Sequence, residues 1–462
     1  MALTLAAPPR PAELLRRAGR VVHERPSLPA AATVLLVCVP TGEKDVAAAV
    51  HVTAADLASL ALVALTAVNL LRGRTPAIGR ADAVRFGAIV LAAAVATLGS
   101  IDPATSLTGF VRLTQVFVLV PAAVLCSLRD RTDQRLVLGS FVTAALIQGV
   151  VGAHQFLTGT GASYTGRPIR AVGTFGALDI MAMSTVVSYG LLAALALGLG
   201  ERDARWRRAL FVTAAFLAFP LAVSFSRGSW IATAAAAAVL LLRADARLAV
   251  RGAVLGTAAA VVLVGGFGLG GSGVTARLSS IGSVSEAPDQ SVSDRYDLWA
   301  TAGRIWQDHP VSGAGPKAFQ QLRDSHAPLR LSSGSDAADA TIGFQREPLL
   351  SPHNMYLLVL SEQGLLGIAA YGLLFLGLLL GCLRTARGPG LAALALLTWV
   401  LVDFLYADIG GTTTVLTSVV LGLAAHAARP VTTRPARPSR PEPKGSGSER
   451  PGGERATTGA GA

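Results

Sequence analysis

Charged residues are scarce in this chain, and their scarcity excludes most soluble folds. Only 15% of its 462 residues are Asp, Glu, Lys or Arg, whereas a soluble domain carries about 25%. Hydrophobic residues make up 52% of the chain, and the mean hydropathy is +0.53. The charges cluster between apolar runs long enough to cross a bilayer, which takes about 20 residues. The sequence therefore predicts a multi-pass membrane protein in contact with the lipid bilayer.

Cysteines and the common cofactor motifs are also rare or missing. The three cysteines (Cys38, Cys126 and Cys382) lie in or at the end of apolar runs without CxxC spacing, which predicts small buried side chains rather than disulfides or metal ligands. No P-loop, dinucleotide fingerprint, HxxxH pair or DxD motif occurs. We therefore expect neither a metal nor another cofactor.

The net charge of +12 has a simple explanation in a membrane protein. The arginines stand in connections between apolar runs and in the C-terminal tail, not on a basic stripe with interleaved aromatic residues, so we expect no nucleic acid partner. Every second connection is rich in arginine. By the positive-inside rule, this alternation places both termini in the cytoplasm.

About twelve transmembrane helices are predicted, which makes the fold an all-α integral membrane protein. Their expected positions are 28–41, 54–71, 83–100, 106–127, 136–157, 175–199, 208–224, 229–242, 247–270, 364–383, 390–407 and 412–428.

The spans divide the chain into five regions. Residues 271–352 hold seven Lys or Arg and nine Asp or Glu residues, and "VSDRYDLWATAGRIWQDHP" within them has helical spacing. We expect one large, folded, helical extracytoplasmic segment there. The tail is rich in Pro, Gly, Ser and Arg, which is typical of disorder. The predicted regions are a basic cytoplasmic N-terminus (1–27), transmembrane helices 1–9 (28–270), the extracytoplasmic segment (271–352), a re-entry helix with transmembrane helices 10–12 (353–428), and a disordered cytoplasmic tail (429–462).

The stretch "SPHNMYLLVLSEQGLLG", residues 351–367, places polar side chains where the long outer segment returns to the membrane. His353 can gain or lose a proton near physiological pH, and Asn354 follows it. The histidine is either a helix cap or interfacial residue, or a general base that faces a cavity at the membrane surface. Gln363 and Gly364 predict a break, so that a short interfacial helix precedes the full span.

Arginines on the predicted outer side form a second group of candidates. Arg227, in the turn "SFSRGSW", is either an interfacial side chain that reaches toward water or an anion clamp, because a guanidinium matches phosphate oxygens. Arg167 and Arg170 precede the sixth span, in an ordinary polar loop or in an anion site. Arg295, beside two aspartates, forms a surface ion pair or binds an anion. His309, before Pro310, is structural or lines the same site.

Three motifs in this order resemble the O-antigen ligase and O-antigen polymerase family of integral membrane glycosyltransferases. They are "SFSRGSW", "DRYDLWATAGRIWQDHPVSGAGPKAF" and "SPHNMYLLVLSEQGLLG", and the resemblance covers residues 216–366. The upstream "RAVGTFGALD" is similar to a further family motif, although the family usually has Asn where this chain has Asp179.

The resemblance implies a GT-C-like glycosyltransferase architecture and a specific reaction. Such proteins transfer a glycan from a polyprenyl-diphosphate carrier to an acceptor hydroxyl at the outer face of the cytoplasmic (inner) membrane, without metal or nucleotide. The acceptor can be a lipid, a glycan or another molecule. Carried onto this sequence, Arg227 and Arg295 would bind the diphosphate, and His353 would activate or orient the acceptor hydroxyl. Further substrate-binding candidates are Arg167, Arg170, His309 and Asn354.

Other functions stay open at this level. A polysaccharide polymerase uses the same donor and motifs as a ligase. A secondary transporter is also compatible with twelve spans, and Arg112 and Gln115 inside the fourth span favour it. A lipid-glycan flippase would need a polar path through the whole bilayer, which the sequence does not indicate.

Overall fold

Helices dominate the part of the chain that the computed structural model describes, which comprises residues 24–40, 52–75, 77–164, 167–176, 179, 181–248, 250–252, 290–332, 334–339 and 343–429. The predicted N-terminal region up to residue 23 and the predicted tail from residue 430 lie outside these ranges. The helices are α1 (Leu28–Leu36), α2 (Ala54–Leu71), α3 (Arg80–Leu98), α4 (Pro103–Thr114), a π-helical segment (Gln115–Leu119), α5 (Val120–Ser127), α6 (Arg131–Thr158), α7 (Ala182–Gly200), α8 (Ala204–Val223), α9 (Arg227–Ala244), α10 (Gln290–Asp308), α11 (Ala318–His326), α12 (Met355–Thr385), α13 (Gly390–Asp403) and α14 (Thr414–Ala427).

Seven helices of the described residues are long and apolar enough to cross a membrane. They are α2, α3, the continuous stretch from α4 to α5, α6, α7, α8 and α12, and the shorter helices α13 and α14 are also apolar. The prediction of a mostly helical, multi-pass membrane protein is therefore confirmed.

The predicted number of twelve spans is not reached by these helices. The first predicted span, 28–41, contains only the nine-residue helix α1, which is about 14 Å long and too short to cross a bilayer. The predicted span 229–242 corresponds to α9, which is not one of the seven and has Arg227 and Arg243 near its ends. The predicted span 247–270 lies mostly outside the described residues.

Polar caps explain where several helices begin. The Oγ1 of Thr53 accepts from the Asp56 N–H at 3.1 Å, and the Asp56 carboxylate accepts from the Thr53 N–H at 3.1 Å, which forms a capping box at α2. Asp102 caps α4, where Pro103 occupies the first helical position, and Asp130 caps α6. These side chains satisfy N–H groups that a helix start leaves without a partner.

The membrane helices pack through small residues. Helix α6 packs against α7, α7 against α8, α9 against α13, α3 against α12, and α5 against α14. A Cβ on Gly190 of α7 would collide with Ala145 of α6, so glycine is required for this close approach. Deeper in the bundle, the Trp399 indole N–H donates to the Thr233 hydroxyl at 3.0 Å, which ties α13 to α9.

A four-stranded antiparallel sheet corrects the prediction of a purely α-helical fold. It consists of β1 (Ala162–Tyr164), β2 (Arg167–Arg170), β3 (Gly334–Asp339) and β4 (Gly343–Pro348), in the order β2-β1-β3-β4. Ser163 pairs with Ala338, so the sheet joins the connection before α7 to the segment after α11. Two connections that are far apart in the sequence therefore form one layer.

The predicted helix in "VSDRYDLWATAGRIWQDHP" is present as α10, which ends at Asp308. Leu298, Ala302 and Ile305 on one of its faces are fully or almost fully buried and form a small core with Phe319 of α11 and Leu349. This core is separate from the core of the membrane helices. The segment therefore has its own apolar packing, as expected for a folded subdomain.

The predicted break in the "SEQGLLG" stretch is present in α12. Gly364 departs from helical geometry, with φ 63° and ψ −157°. The loop 310–315 between α10 and α11 supplies backbone partners on both sides of this break. The four bonds are Ala314 N–H to Ser361 O (3.0 Å), Gly315 N–H to Glu362 O (2.9 Å), Leu365 N–H to Pro310 O (3.0 Å) and Leu366 N–H to Val311 O (3.1 Å).

A buried carboxylate holds the helix that follows this loop. Glu362 lies on α12 and accepts from the Phe319 N–H at 3.3 Å, at the start of α11. On the opposite side, a Cβ on Gly315 would collide with the side chains of Ser100 and Ser106. The loop is thus packed between α12 and the start of α4, and it fixes the orientation of the N-terminal part of α12.

Candidate active site

The start of α12 is anchored to the connecting segment 404–413 between α13 and α14. Asn354 caps the helix, since its Oδ1 accepts from the N–H groups of Tyr356 (3.0 Å) and Leu357 (3.1 Å). Its Nδ2 donates to the Leu405 carbonyl at 3.1 Å. Asn354 is buried, so the amide that the sequence singled out both begins the helix and binds the connecting segment.

Two further contacts hold the connecting segment in place. The Met355 N–H donates to the carbonyls of Phe404 (2.9 Å) and Ala407 (3.0 Å). At the other end, the Asp179 carboxylate accepts from the backbone N–H (2.9 Å) and the hydroxyl (2.7 Å) of Thr412. Burial raises the pKa of Asp179, although the bonds from Thr412 oppose this shift. The segment is thus fixed between α12 and the stretch before α7.

His353 has a strained backbone and a charged environment. Its φ is +48°, a region that few non-glycine residues adopt and that is frequent at functional sites. Its N–H donates to the Ser351 Oγ at 3.1 Å, and the Ser351 hydroxyl donates to the Asp408 carboxylate. Burial lowers the pKa of the His353 imidazole; Asp408 acts against this shift and Arg295 adds to it. The histidine is therefore biased toward its neutral form between two opposite charges.

Helix α10 brings Arg295 to the same place. The Trp299 indole N–H, one turn after Arg295, donates to the Pro352 carbonyl at 3.0 Å. This bond joins α10 directly to the residue before His353. Arg295 also lies close enough to Asp403 at the end of α13 for an electrostatic interaction. Arg295 therefore lies near both His353 and the Asp403 carboxylate.

The start of α9, which carries Arg227, also lies against the connecting segment. It is the first residue of α9, which Ser226 caps, and it follows Phe225, whose φ is +53°. A Cβ added to Gly228 would lie 3.5 Å from the Cβ of Tyr406. The tight turn therefore places the start of α9 against the segment that also contacts His353 and Asn354.

Arg170 lies next to the same turn and is buried. The N–H of Ala171 donates to the carbonyl of Val223 at 3.4 Å, near the C-terminal end of α8. The turn that follows α8 carries Arg227. Two arginines that are far apart in the sequence are therefore attached to adjacent backbone segments.

Two glutamines of α6 hold the stretch after Arg170 in position. The Oε1 of Gln155 accepts from the N–H groups of Val172 (3.0 Å) and Gly173 (2.8 Å). The Oε1 of Gln148 accepts from the Thr174 N–H at 2.9 Å. These bonds satisfy backbone groups of a stretch that has no regular structure of its own.

Two predicted site residues are not joined to this arrangement. The backbone of Arg167 forms part of β2, and its side chain lies outside what the structure describes. His309 follows the C-terminal end of α10, roughly 20 Å from Arg295 by the helical rise, where its carbonyl accepts from the Gly313 N–H at 3.0 Å. This position gives His309 a role at the loop 310–315 rather than beside His353.

The sequence analysis missed the carboxylates at the site. It identified no acidic cluster on the outer side, yet Asp403 and Asp408 both act electrostatically near Arg295 and His353. A signal was available, because Asp408 is an ionisable residue in a short connection between two apolar helices, where such residues are functional candidates. Within the described ranges, no three His, Cys, Asp or Glu side chains converge as metal ligands would.

Comparison with known proteins supports the interpretation of these motifs. Residues 211–372 match a family model described as O-Antigen ligase, and this range includes Arg227, Arg295, His353 and Asn354. No significant match to a curated protein is found. The resemblance to the O-antigen ligase family seen in the sequence is thereby confirmed over residues 211–372.

Proposed function

We propose that this protein transfers a glycan from a polyprenyl-diphosphate carrier to an acceptor hydroxyl at the outer face of the cytoplasmic membrane, without a metal ion. One observation carries the proposal. The elements that bear His353, Asn354, Arg295 and Arg227 all contact the connecting segment 404–413 or the residues directly before α12. This arrangement supports a single site formed by the residues that the family resemblance assigns to the reaction.

The arginines suit the leaving group. A lipid diphosphate gains negative charge as it leaves, and fixed cations that are already in place stabilise that charge. Guanidinium groups offer planar pairs of N–H donors that match phosphate oxygens. Arg227 and Arg295 would hold the diphosphate from two sides, and the buried Arg170 would support it from the stretch after β2.

His353 is suited to accept the proton of the acceptor hydroxyl. The acceptor oxygen attacks the anomeric carbon of the donor sugar, the bond from that carbon to the diphosphate oxygen breaks, and the acceptor proton passes to the imidazole. A neutral histidine is needed for this step, and burial lowers the His353 pKa in that direction. Asp408 would stabilise the imidazolium that forms.

An apolar cavity next to the site suits the lipid part of the donor. It has a volume of about 290 Å³. Its wall begins at Met355 and Tyr356, directly after Asn354, and continues along α12 through Tyr371 and Gly372. We propose that it holds part of the polyprenyl chain while the diphosphate lies against the arginines.

The polar residues that favoured a transporter in the sequence analysis form hydrogen bonds with one another. Arg112 pairs with Asp56 at 2.5 Å and donates to the Gln115 amide oxygen at 3.2 Å, and Gln115 donates to the Ser59 hydroxyl at 3.0 Å. These four side chains bond one another between α2 and the continuous stretch of α4 and the π-helical segment, which accounts for them as interhelical contacts. A ligase and a polymerase would share the site as described, and the fate of the glycan distinguishes them.

The test uses the purified protein in nanodiscs with a synthetic polyprenyl-diphosphate glycan and a panel of acceptors. Mass spectrometry follows the release of free polyprenyl diphosphate by the native chain and by Arg227→Ala and His353→Ala. We expect release by the native chain and its loss in both variants, while each variant keeps a thermal unfolding midpoint near that of the native chain. Donor binding without release for any acceptor would overturn the proposal in favour of a transporter or flippase.

A further inference from the structure

An aromatic pair stands beside Arg295 on α10. The rings of Tyr296 and Trp299 have centroids 5.5 Å apart and planes at 86° to each other. They are three residues apart on one helix, so their side chains lie on neighbouring positions of its surface. Aromatic residues make up only 6% of the chain, and this pair directly adjoins the proposed diphosphate site.

The Trp299 side chain is held by a hydrogen bond, and the Tyr296 side chain is exposed. The indole N–H of Trp299 donates to the Pro352 carbonyl at 3.0 Å, so one edge of the ring is tied to the residue before His353. Tyr296 is 48% exposed, and its edge-to-face contact with Trp299 restricts its ring. The pair therefore presents a pre-oriented aromatic surface, which costs little conformational entropy on binding.

Helical geometry places this surface at the rim of the site. Successive residues of an α-helix are about 100° apart around its axis. Leu298 and Ala302 lie in the buried core, Arg295 lies near His353, and Trp299 follows Arg295 by one turn of the helix, with Tyr296 packed against its ring on the exposed side. A ligand whose charged group contacts Arg295 would therefore have its next group within reach of this aromatic pair.

We propose that Tyr296 and Trp299 form a pyranose-binding subsite, and this inference rests on the proposed function. A sugar ring has an apolar face of C–H groups whose hydrogens are weakly positive, and an aromatic ring face carries negative charge. Packing of the two faces orients the sugar without a charged contact. The sugar that binds here belongs either to the donor, next to its diphosphate, or to a sugar-bearing acceptor.

The test compares Tyr296→Leu, which removes the ring, with Tyr296→Phe, which keeps it. Phe344→Leu is the matched control, because Phe344 is also an exposed aromatic residue, on β4 and outside the proposed site. We expect Tyr296→Leu to raise KM about tenfold for one of the two substrates with little change in kcat. Tyr296→Phe and Phe344→Leu should keep the native KM. Varying donor and acceptor separately identifies which sugar is bound.

A second arm separates this inference from the proposed function. A lipid-free oligosaccharide of the same glycan is titrated against the native chain and Tyr296→Leu, and binding is followed by tryptophan fluorescence. Weaker binding to the variant supports the subsite even if the native chain releases no polyprenyl diphosphate, a result that would overturn only the transfer reaction. Equal binding, together with equal KM values, would overturn the subsite.

Discussion

Replacing Gly364 by alanine tests whether the break in α12 is a required part of the site. The φ and ψ of Gly364, 63° and −157°, lie in a region that is essentially restricted to glycine and that costs other residues about 1–3 kcal/mol. An added Cβ would also lie 2.5 Å from the carbonyl carbon of Val311 and 2.6 Å from the amide nitrogen of Gly313. Overpacking a filled position costs about 1–3 kcal/mol.

Together these two costs amount to about 2–6 kcal/mol, which is a large part of the stability of a typical domain, about 5–15 kcal/mol. Separation of the loop 310–315 from α12 would relieve both, at the expense of the four backbone hydrogen bonds that cross the break. We therefore expect the loop to separate before the bundle unfolds. The start of α12, with His353, would then lose its fixed orientation, and turnover should fall by about a hundredfold, since small displacements of reacting groups have effects of this size.

The assay combines limited proteolysis of the loop, thermal unfolding and the release of polyprenyl diphosphate. Gly139→Ala is the matched control, because Gly139 also lies within a membrane helix, α6, and has nothing within 4 Å of an added Cβ. We expect the loop to become protease-sensitive in Gly364→Ala only. Equal protease resistance and equal turnover in the two variants would refute the idea that the loop and the break position the site.

Three further predictions concern the site and the cavity. In a pH profile of kcat/KM, the rate should fall as the pH drops through the His353 pKa, because the protonated imidazole cannot accept a proton. Burial lowers this pKa, so the acidic limb of the profile should lie below the usual value of about 6.5. A limb above that value would contradict the assignment. Asp408→Asn removes the charge that raises this pKa, so the acidic limb should move to lower pH. Ser351→Ala keeps the Asp408 charge and should leave the limb in place. The same limb position in both variants would disprove the electrostatic effect of Asp408 on His353. Gly372→Leu should raise KM about tenfold for a long-chain polyprenyl donor, because the larger side chain fills the cavity. Gly87→Leu is the control, since Gly87 lies in another membrane helix with nothing within 4 Å of an added Cβ, and its KM should not change. The same KM in both variants would exclude the cavity as the lipid site.

Local signals account for what the sequence predicted correctly. The histidine and amide before α12, the glycine at its break and the helical spacing of α10 are all readable within a few residues of chain. The apolar runs likewise located the helices that the structure shows to be long enough for a membrane. Each of these features depends on neighbours in the sequence, so a single sequence is sufficient to find it.

The missed features depend on contacts between distant parts of the chain. Strand β3 has the sequence GSDAAD, which contains no residue that favours strands, and it pairs with a strand from before α7. The contact of Asp408 with the Ser351 hydroxyl, and through it with His353, exists only in the folded chain and cannot be read from the sequence. Likewise, Gln155 in α6 resembles an isolated polar residue until it is seen to bind the backbone of the stretch after Arg170.

The small sheet has a consequence for the order in which the protein matures. Strand β1 leaves the ribosome long before β3, with which Ser163 pairs through Ala338, and several membrane helices must be inserted between the two events. Contacts between distant parts of a chain form slowly, because the intervening loop must first be closed. Strand β1 therefore gains its second neighbour in the sheet only after the later half of the chain has been synthesised. A chain that stalls before β3 would hold inserted helices but an unfinished sheet beside the candidate site.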